Sequence, residues 1–266
     1  MKPPLVTFVS DFGRDDWFVG VVHGVILDAC PEARIVDLTH HIPPGDVERA
    51  AFVVEVATPD FGVGTVHLVV VDPGVGTGRR ALAVRARDQL FVGPDNGVLE
   101  WALAAPGAEV RELTDVTLFR QPVSRTFHGR DVFAPVAARL AGGLKFESVG
   151  PVAKDPLRLP VPTPRVVNGE LHGRIMFVDR FGNLLTNLTE RLLAERFPGV
   201  APERLEVEAA GCVIRGLARA YADAPVGSMV AILDSSGRLE IAQVRGDASQ
   251  RLGLSVRDDV RVRVPR

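Results

Sequence analysis

The stretch VHLVVVDPGVGTGRR, residues 66–80, decides the fold of the N-terminal half of the chain. It opens as an apolar run, the pattern of a strand buried on both faces of a parallel sheet. The run stops at Asp72, and Pro73, Gly74, Gly76 and Gly78 then impose a tight loop, poor in side chains, that closes on Arg79 and Arg80. Open α/β sheets bind ligands in the crevice beyond the carboxyl ends of their strands. A carboxylate at a strand end, a loop stripped to backbone and an arginine closing it therefore form a candidate site. A glycine turn with a capping aspartate and a solvated arginine accounts for the same residues.

Upstream, residues 5–9 predict a short strand ended by Ser10-Asp11-Phe12-Gly13. A helix follows with apolar positions at Phe18, Val21, Val22, Val25 and Ile26, and Asp15 or Asp16 stands where it would cap. Residues 34–38 predict a second strand, and Asp46 caps a second helix reaching residue 57. Downstream, residues 81–85 and 89–92 predict strands, and residues 99–104 and 131–140 predict helices. This alternation predicts a mainly parallel α/β sheet domain, covered on both faces, over residues 1–155.

The composition then shifts. Residues 156–168, with prolines at 156, 160, 162 and 164, predict an extended, semi-rigid linker. Residues 169–266 predict a smaller antiparallel β-barrel-like domain, with strands over 173–178, 213–217, 229–233, 239–244 and 260–264. Its helical signal is confined to residues 189–196.

With 46% hydrophobic and 24% charged residues, the 266-residue chain has ordinary globular composition. A net charge of −2 gives no electrostatic reason to expect a nucleic acid or an anionic membrane as partner. No apolar run approaches the ~18 residues of a membrane span. The first residues lack the basic region and apolar core of a signal peptide, so a cytoplasmic protein is expected. Cys30 and Cys212 match no metal spacing and predict buried, reduced thiols. No metal and no resident cofactor are expected.

Asp11 and Asp72 both fall just past predicted parallel strands, so their carboxylates should share one crevice. A carboxylate in that position commonly accepts hydrogen bonds from a ribose diol. The loop after Asp72 is neither G-x-G-x-x-G, since Arg79 occupies the third glycine position, nor a Walker loop, since no Gly-Lys-Ser/Thr follows. A second polar cluster is Ser124-Arg125-Thr126-Phe127-His128-Gly129-Arg130-Asp131, in which His128 projects from a loop ahead of a helix. In the C-terminal part, Asp179-Arg180-Phe181-Gly182-Asn183 with Thr186-Asn187, and the run from Asp234 to Glu240, predict hairpin turns. An Asp and an Asn in one short loop also suit the ammonium and carboxylate of an amino acid, and spacing does not choose between the two.

Several of these stretches occur in a shared order: Ser10-Asp11-Phe12-Gly13, Asp37-Leu38-Thr39-His40 with Asp46-Val47, Val71-Asp72-Pro73-Gly74-Val75-Gly76-Thr77, and Gly93-Pro94-Asp95-Asn96-Gly97. Thr126-Phe127-His128-Gly129-Arg130-Asp131, Phe181-Gly182-Asn183 and Ser235-Ser236-Gly237-Arg238-Leu239-Glu240-Ile241-Ala242 continue the series. Over nearly its whole length the chain thus resembles the S-adenosylmethionine hydroxide adenosyltransferases, relatives of the fluorinase and chlorinase.

The resemblance implies an N-terminal α/β domain, a C-terminal β-barrel domain and a homotrimer with ligand sites between neighbouring subunits. It implies that water or hydroxide attacks the ribose C5′ of S-adenosyl-L-methionine, a substrate and not a cofactor, to give adenosine and L-methionine. It assigns water activation to Asp72, Arg79 and His128, with Arg80 a neighbouring candidate for the arginine and either Asp72 or His128 as proton acceptor. Asp11 would hold the ribose, Asp179 and Asn183 the methionine end, and Tyr221, Ser235 and Ala242 would enclose the adenine. Phe12, Asp15, Thr126, Gly129 and Glu240 complete the expected substrate contacts. Val244 departs from the asparagine that relatives often carry there.

A generic nucleotide or phosphate enzyme built on the glycine loop is the most remote alternative to hydrolysis, and two further readings compete with it. One is a module that binds S-adenosylmethionine or adenosine with negligible turnover. The other is a halogenase, against which stand a carboxylate at Asp72 that repels halide and the missing hydroxyl at Gly129.

Overall fold

The computed structural model describes residues 3–265, which divide after Leu159 into two units. The first unit holds strands β1 (Leu5–Ser10), β2 (Arg34–Thr39), β3 (Val66–Val70), β4 (Ala81–Ala86), β5 (Gln89–Pro94) and β6 (Glu109–Glu112). They form one sheet in the order β2-β1-β3-β5-β4-β6. Its helices are α1 (Phe18–Ala29), α2 (Val47–Ala57), α3 (Glu100–Leu103) and α4 (Ala134–Ala141).

Every residue of β3 is buried, and alternate side chains serve opposite faces. Val66, Leu68 and Val70 share a core with Val22 and Ile26 of α1 and Val136 and Ala137 of α4. Val69 and Val71 share another with Ala50 and Val54 of α2 and Ala102 of α3. This double coverage is why the strand reads as an apolar run rather than an alternation.

The sheet is mixed, which corrects the mainly parallel expectation. β2, β1, β3 and β5 are parallel, but β4 is antiparallel to β5 and to β6. Arg87 and Asp88, at φ 55° and 59°, make a two-residue hairpin between β4 and β5. Such a turn joins only antiparallel strands. The parallel register of β1 and β3 sets Ser10 opposite Val70, so Asp11 and Asp72 emerge at the same edge.

The helix starts differ in part from expectation. Asp46 caps α2, its side chain accepting from the Arg49 N–H at 2.9 Å. Neither Asp15 nor Asp16 caps α1, which starts late enough that Trp17 takes the cap position without a side-chain bond. The helix predicted over residues 131–140 has two parts, a wide π-helical turn at Gly129–Phe133 and then α4. Pro135 has no N–H to give, and the carbonyl of Asp131 accepts instead from Arg120 N at 2.9 Å.

The second unit holds β7 (Arg165–Val167), β8 (Glu170–Val178), β9 (Leu184–Thr189), α5 (Glu190–Arg196), β10 (Glu206–Ala209) and β11 (Cys212–Arg215). β12 (Leu217–Ala218), β13 (Met229–Leu233), β14 (Arg238–Gln243), α6 (Ala248–Leu252) and β15 (Asp259–Arg263) complete it. The strands form one sheet along the path β11-β10-β15-β8-β9-β14-β13-β12, with β7 beside β8. All pairings are antiparallel except β12 with β13. The sheet is nearly barrel-shaped around a core that includes Ile175, Leu184, Leu188, Val207, Leu239, Ile241 and Val260.

Three local expectations change here. Residues 213–217 are two strands, because Gly216 at φ 77° turns the chain between β11 and β12. Thr186 and Asn187 are not turn residues but lie inside β9. There Asn187 Oδ1 accepts from Arg174 N and Thr186 Oγ1 donates to Leu239 O, both at 2.7 Å. β7 forms within the proline-rich stretch predicted as linker. Among the described residues, no helix is long and apolar enough to cross a membrane.

Candidate active site

The turn beyond β3 is built around Gly76. At φ 77° it takes a left-handed conformation, and a Cβ there would lie 2.2 Å from the carbonyl oxygen of Arg125. Only glycine permits that approach. The loop after Asp72 is thereby laid against the segment leading to His128, which joins the two polar clusters of the sequence. Thr77 Oγ1 donates to Gly74 O at 2.6 Å and closes the turn.

Arg79 leaves this turn and folds back over Asp72. Its Nε donates to both carboxylate oxygens at 2.9 Å, and Nη2 donates to Oδ2 as well. Nη2 also donates to Nδ1 of His128 at 2.8 Å. The guanidinium carbon stands 4.9 Å from the centroid of the Phe133 ring, a cation–π contact supplied by the π-helical turn. The side chains of Arg79 and Asp72 are only 10% and 5% exposed, so the pair is held largely out of water. A guanidinium can only donate, so Nδ1 accepts and the His128 proton resides on Nε2 of a neutral ring. Burial and then the charge of Arg79 hold the His128 pKa below its ordinary value, with Asp72 and Asp131 pulling weakly the other way.

Arg80 is engaged elsewhere. Its Nε donates to Asp95 Oδ2 at 2.7 Å, and Nη1 and Nη2 donate to the carbonyls of Lys154 and Asp155 at 2.7 and 2.9 Å. The two arginines that the sequence left interchangeable therefore diverge, and Arg79 alone meets Asp72 and His128.

Asp11 follows β1, its Oδ2 accepting from Gly45 N at 2.8 Å. Burial raises its pKa, the Gly45 N–H opposes this, and the nearby charge of Asp72 adds to the rise. Phe12 stacks edgewise or tilted against Phe8, Phe18 and Phe127, with ring centroids 6.2, 5.8 and 5.9 Å away. Gly129 is buried beside it, and a Cβ there would meet Val70 Cγ1 at 3.1 Å and Phe12 Cζ at 3.2 Å. Asp15 and Thr126 are exposed; the Thr126 N–H donates to Ser124 Oγ at 3.2 Å.

In the second unit, Asp179 and Asn183 hold the β8–β9 turn. Asp179 Oδ1 accepts from the N–H groups of Phe181 and Asn183 at 2.8 and 2.9 Å, and Oδ2 accepts from Asn183 Nδ2 at 3.0 Å. Tyr221 donates its hydroxyl to Glu240 Oε1 at 2.7 Å. Burial raises the Glu240 pKa, the Tyr221 hydroxyl opposes, and the charges of Asp179 and Asp234 raise it further. The same surroundings push the Tyr221 hydroxyl upward. Ser235 is exposed at the tip of the β13–β14 hairpin, whereas Ala242 is buried in β14 opposite Val230. Val244 is buried too, its N–H donating to Ser228 O and its carbonyl accepting from Gly227 N, both at 2.9 Å.

Sequence reasoning missed Phe133 beneath Arg79 and the Gly45 N–H that orients Asp11. The Pro43-Pro44-Gly45 break marked a loop but not its partner, because the contact spans 34 residues. Phe133 carried no signal beyond an apolar helical position.

Comparison with known proteins bears on what this arrangement does. Residues 6–150 match the SAM hydroxide adenosyltransferase N-terminal domain, and residues 173–261 match the C-terminal domain of the same family. The (R)-S-adenosyl-L-methionine hydrolase of Salinispora tropica is 42% identical over 264 residues, covering 97% of each chain. That of Thermus thermophilus is 40% identical over 262 residues, covering 96% of each. A crystal structure of an uncharacterized conserved protein from Thermotoga maritima superposes with a TM-score of 0.91 at 38% identity, covering 97% of this chain and 99% of that one.

Proposed function

The chain belongs to the SAM hydroxide adenosyltransferase family, and we propose on that premise that it hydrolyses (R)-S-adenosyl-L-methionine to adenosine and L-methionine. The observation that carries the residue roles is the bridge from Asp72 through Arg79 to His128 at the carboxyl edge of β3.

The leaving group is a neutral thioether departing from a sulfonium, so no general acid is required. The difficulty lies in the nucleophile, because bulk water has a pKa of about 15.7. A positioned base typically contributes ~10²–10⁴-fold. Asp72 is that base in this reading. His128 Nδ1 is occupied by a guanidinium donor and Nε2 already carries a proton, whereas Asp72 Oδ1 accepts one bond from Nε and keeps a lone pair for water. Arg79 contributes a charge that cannot be lost and that steadies the nascent hydroxide. Hydroxide and sulfonium neutralise one another in the transition state, so exclusion of water favours the step.

Asp11, pre-oriented by the Gly45 N–H, receives the ribose hydroxyls, with Phe12, Asp15, Thr126 and Gly129 around it. The acidic group of Asp179, Asp234 and Glu240 suits a cationic methionine end, and Asn183 stands beside Asp179. Tyr221, Ser235 and Ala242 enclose the adenine. The buried, backbone-bonded Val244 offers it no polar side chain. A homotrimer with shared ligand sites and a cytoplasmic location complete the proposal, the latter supported by two free cysteines.

The test is incubation with each sulfonium epimer in heavy-oxygen water. Equimolar adenosine and methionine from the (R) epimer, with the label on the 5′-oxygen, is the expected result. No adenosine above the enzyme-free rate would leave the binding-module reading, and an unlabelled 5′-oxygen in the first turnover would replace direct attack by water with attack by a protein carboxylate oxygen.

A further inference from the structure

We propose that His23, Asp37 and His40 form a binding site for one divalent transition-metal ion, of the borderline class that takes imidazole nitrogen together with carboxylate oxygen. Zn²⁺ is the closest fit.

His23 lies on α1, Asp37 near the end of β2, and His40 one residue past that strand. Their donor atoms all fall within 4.8 Å of one another. His23 Nε2 is 2.8 Å from Asp37 Oδ1, and His40 Nε2 is 3.0 Å from the same oxygen. The second distance is within hydrogen-bond range, but the ring N–H is not aligned on the oxygen. His40 is fully buried, and among the described residues its Nε2 has no hydrogen-bond partner of acceptable geometry although the carboxylate lies 3.0 Å away. A buried nitrogen aimed without alignment at an anionic oxygen is the disposition of two ligands converging on a third atom.

The surroundings match what metal-bound histidines require. The far nitrogen of His40, Nδ1, is 2.7 Å from Ser10 Oγ, which also accepts from Phe12 N at 3.3 Å. A second-sphere oxygen on the remote nitrogen fixes the ring and leaves the near nitrogen free to ligate. Phe8 walls the cluster edgewise, its ring 4.7 Å from that of His40 and 6.2 Å from that of His23. The His23 and Asp37 side chains, 30% and 21% exposed, leave one side open for entry and for a water ligand.

Zinc bonds of about 2.0–2.2 Å set neighbouring tetrahedral donors roughly 3.3 Å apart, so the pairs at Asp37 need open by only a few tenths of an ångström. Mg²⁺ and Ca²⁺ take oxygen ligands in larger number and are excluded by two imidazoles in three donors. Arg14, 3.5 Å from Asp37 Oδ2 and mostly exposed, is the one arginine or lysine among the described residues in contact with the carboxylate and can swing away. The ion would tie α1 to the end of β2. Through Ser10, and through the Gly13 N–H that donates to His40 O at 2.7 Å, it would brace the turn bearing Asp11. The inference is independent of the reaction proposed above.

The experiment strips the full-length chain with a chelator, dialyses it, and titrates it calorimetrically with ZnCl₂ and separately with MgCl₂. One Zn²⁺ per chain is expected, with a rise in Tm and no response to Mg²⁺. His23→Ala, at a half-buried helix position that tolerates alanine, keeps the far-UV circular dichroism and weakens Zn²⁺ at least tenfold, and Ser10→Ala weakens it about 10–100-fold. Asp37→Asn serves as a second ligand variant. No stoichiometric Zn²⁺, equal binding in folded His23→Ala and Asp37→Asn, or an equal response to Mg²⁺ would each overturn the site and leave a hydrogen-bonded relay.

Discussion

Arg79 binds His128 Nδ1 and the carboxylate of Asp72 through one guanidinium, at 2.8 Å to the imidazole and 2.9 Å from Nε to each oxygen. The arginine thereby sets both the position of the carboxylate and the tautomer of the histidine. Asp72→Asn keeps the shape and removes the proposed base. It should lower kcat ~10²–10⁴-fold while S-adenosylmethionine still binds, as read by calorimetry. Arg79→Lys keeps the charge but cannot bridge two partners with a planar fork, and should lower kcat by at least about tenfold with little change in KM. Full activity in either variant would dismiss the assigned roles.

The neutral state of His128 makes activity sensitive to acid in a defined direction. Burial and the Arg79 charge depress its pKa, so the ring stays neutral below histidine's ordinary ~6.5 and gains its proton only at lower pH. Protonation places a second cation against Arg79. It should remove both activity and stability as pH falls through the depressed value, since the unfolded chain binds that proton earlier. An NMR titration of the His128 ring should give a midpoint under 6.5, moving upward in Arg79→Met. A wild-type midpoint at or above the ordinary value would contradict the contact.

Gly76→Ala tests the loop. Its Cβ would fall 2.2 Å from Arg125 O at a residue already at φ 77°, so the backbone must move. A loss of about 1–3 kcal/mol in a denaturant melt is expected. Activity should fall further than stability, because displacement of Arg79 by even ~1 Å spoils its bridge. An unchanged melt with full activity would show the turn to be slack.

Gly129→Ser examines the halide reading. A Cβ there meets Val70 and Phe12 at 3.1 and 3.2 Å, so added bulk strains a packed site. Overpacking of this kind costs about 1–3 kcal/mol. With the Asp72 carboxyl group still in place, the variant in concentrated chloride should yield no 5′-chloroadenosine by chromatography. Its appearance would reopen halogenation.

Much of the fold was legible because it depends on neighbours in the chain. Every second residue of β3 faces the same way, so burial on both faces writes an apolar run into residues 66–71 whatever packs there. Asp46 caps its own helix, and Gly76 supplies a backbone conformation that other residues resist. The antiparallel β4 was missed because Arg87 and Asp88 lack the glycine or asparagine that usually advertises a tight hairpin.

What the sequence marked by itself was the candidates for chemistry: a carboxylate ending a strand, two arginines closing a glycine loop, a histidine before a helix. Tertiary structure alone decided who meets whom. Parallel pairing of Ser10 with Val70 brings Asp11 and Asp72 to one edge, and the turn at Gly76 sends Arg79 toward His128 while Arg80 goes to Asp95. The same holds for His23, which reaches Asp37 only because α1 lies across the sheet. Contacts between distant residues depend on the packing of whole elements, and no local pattern encodes that packing.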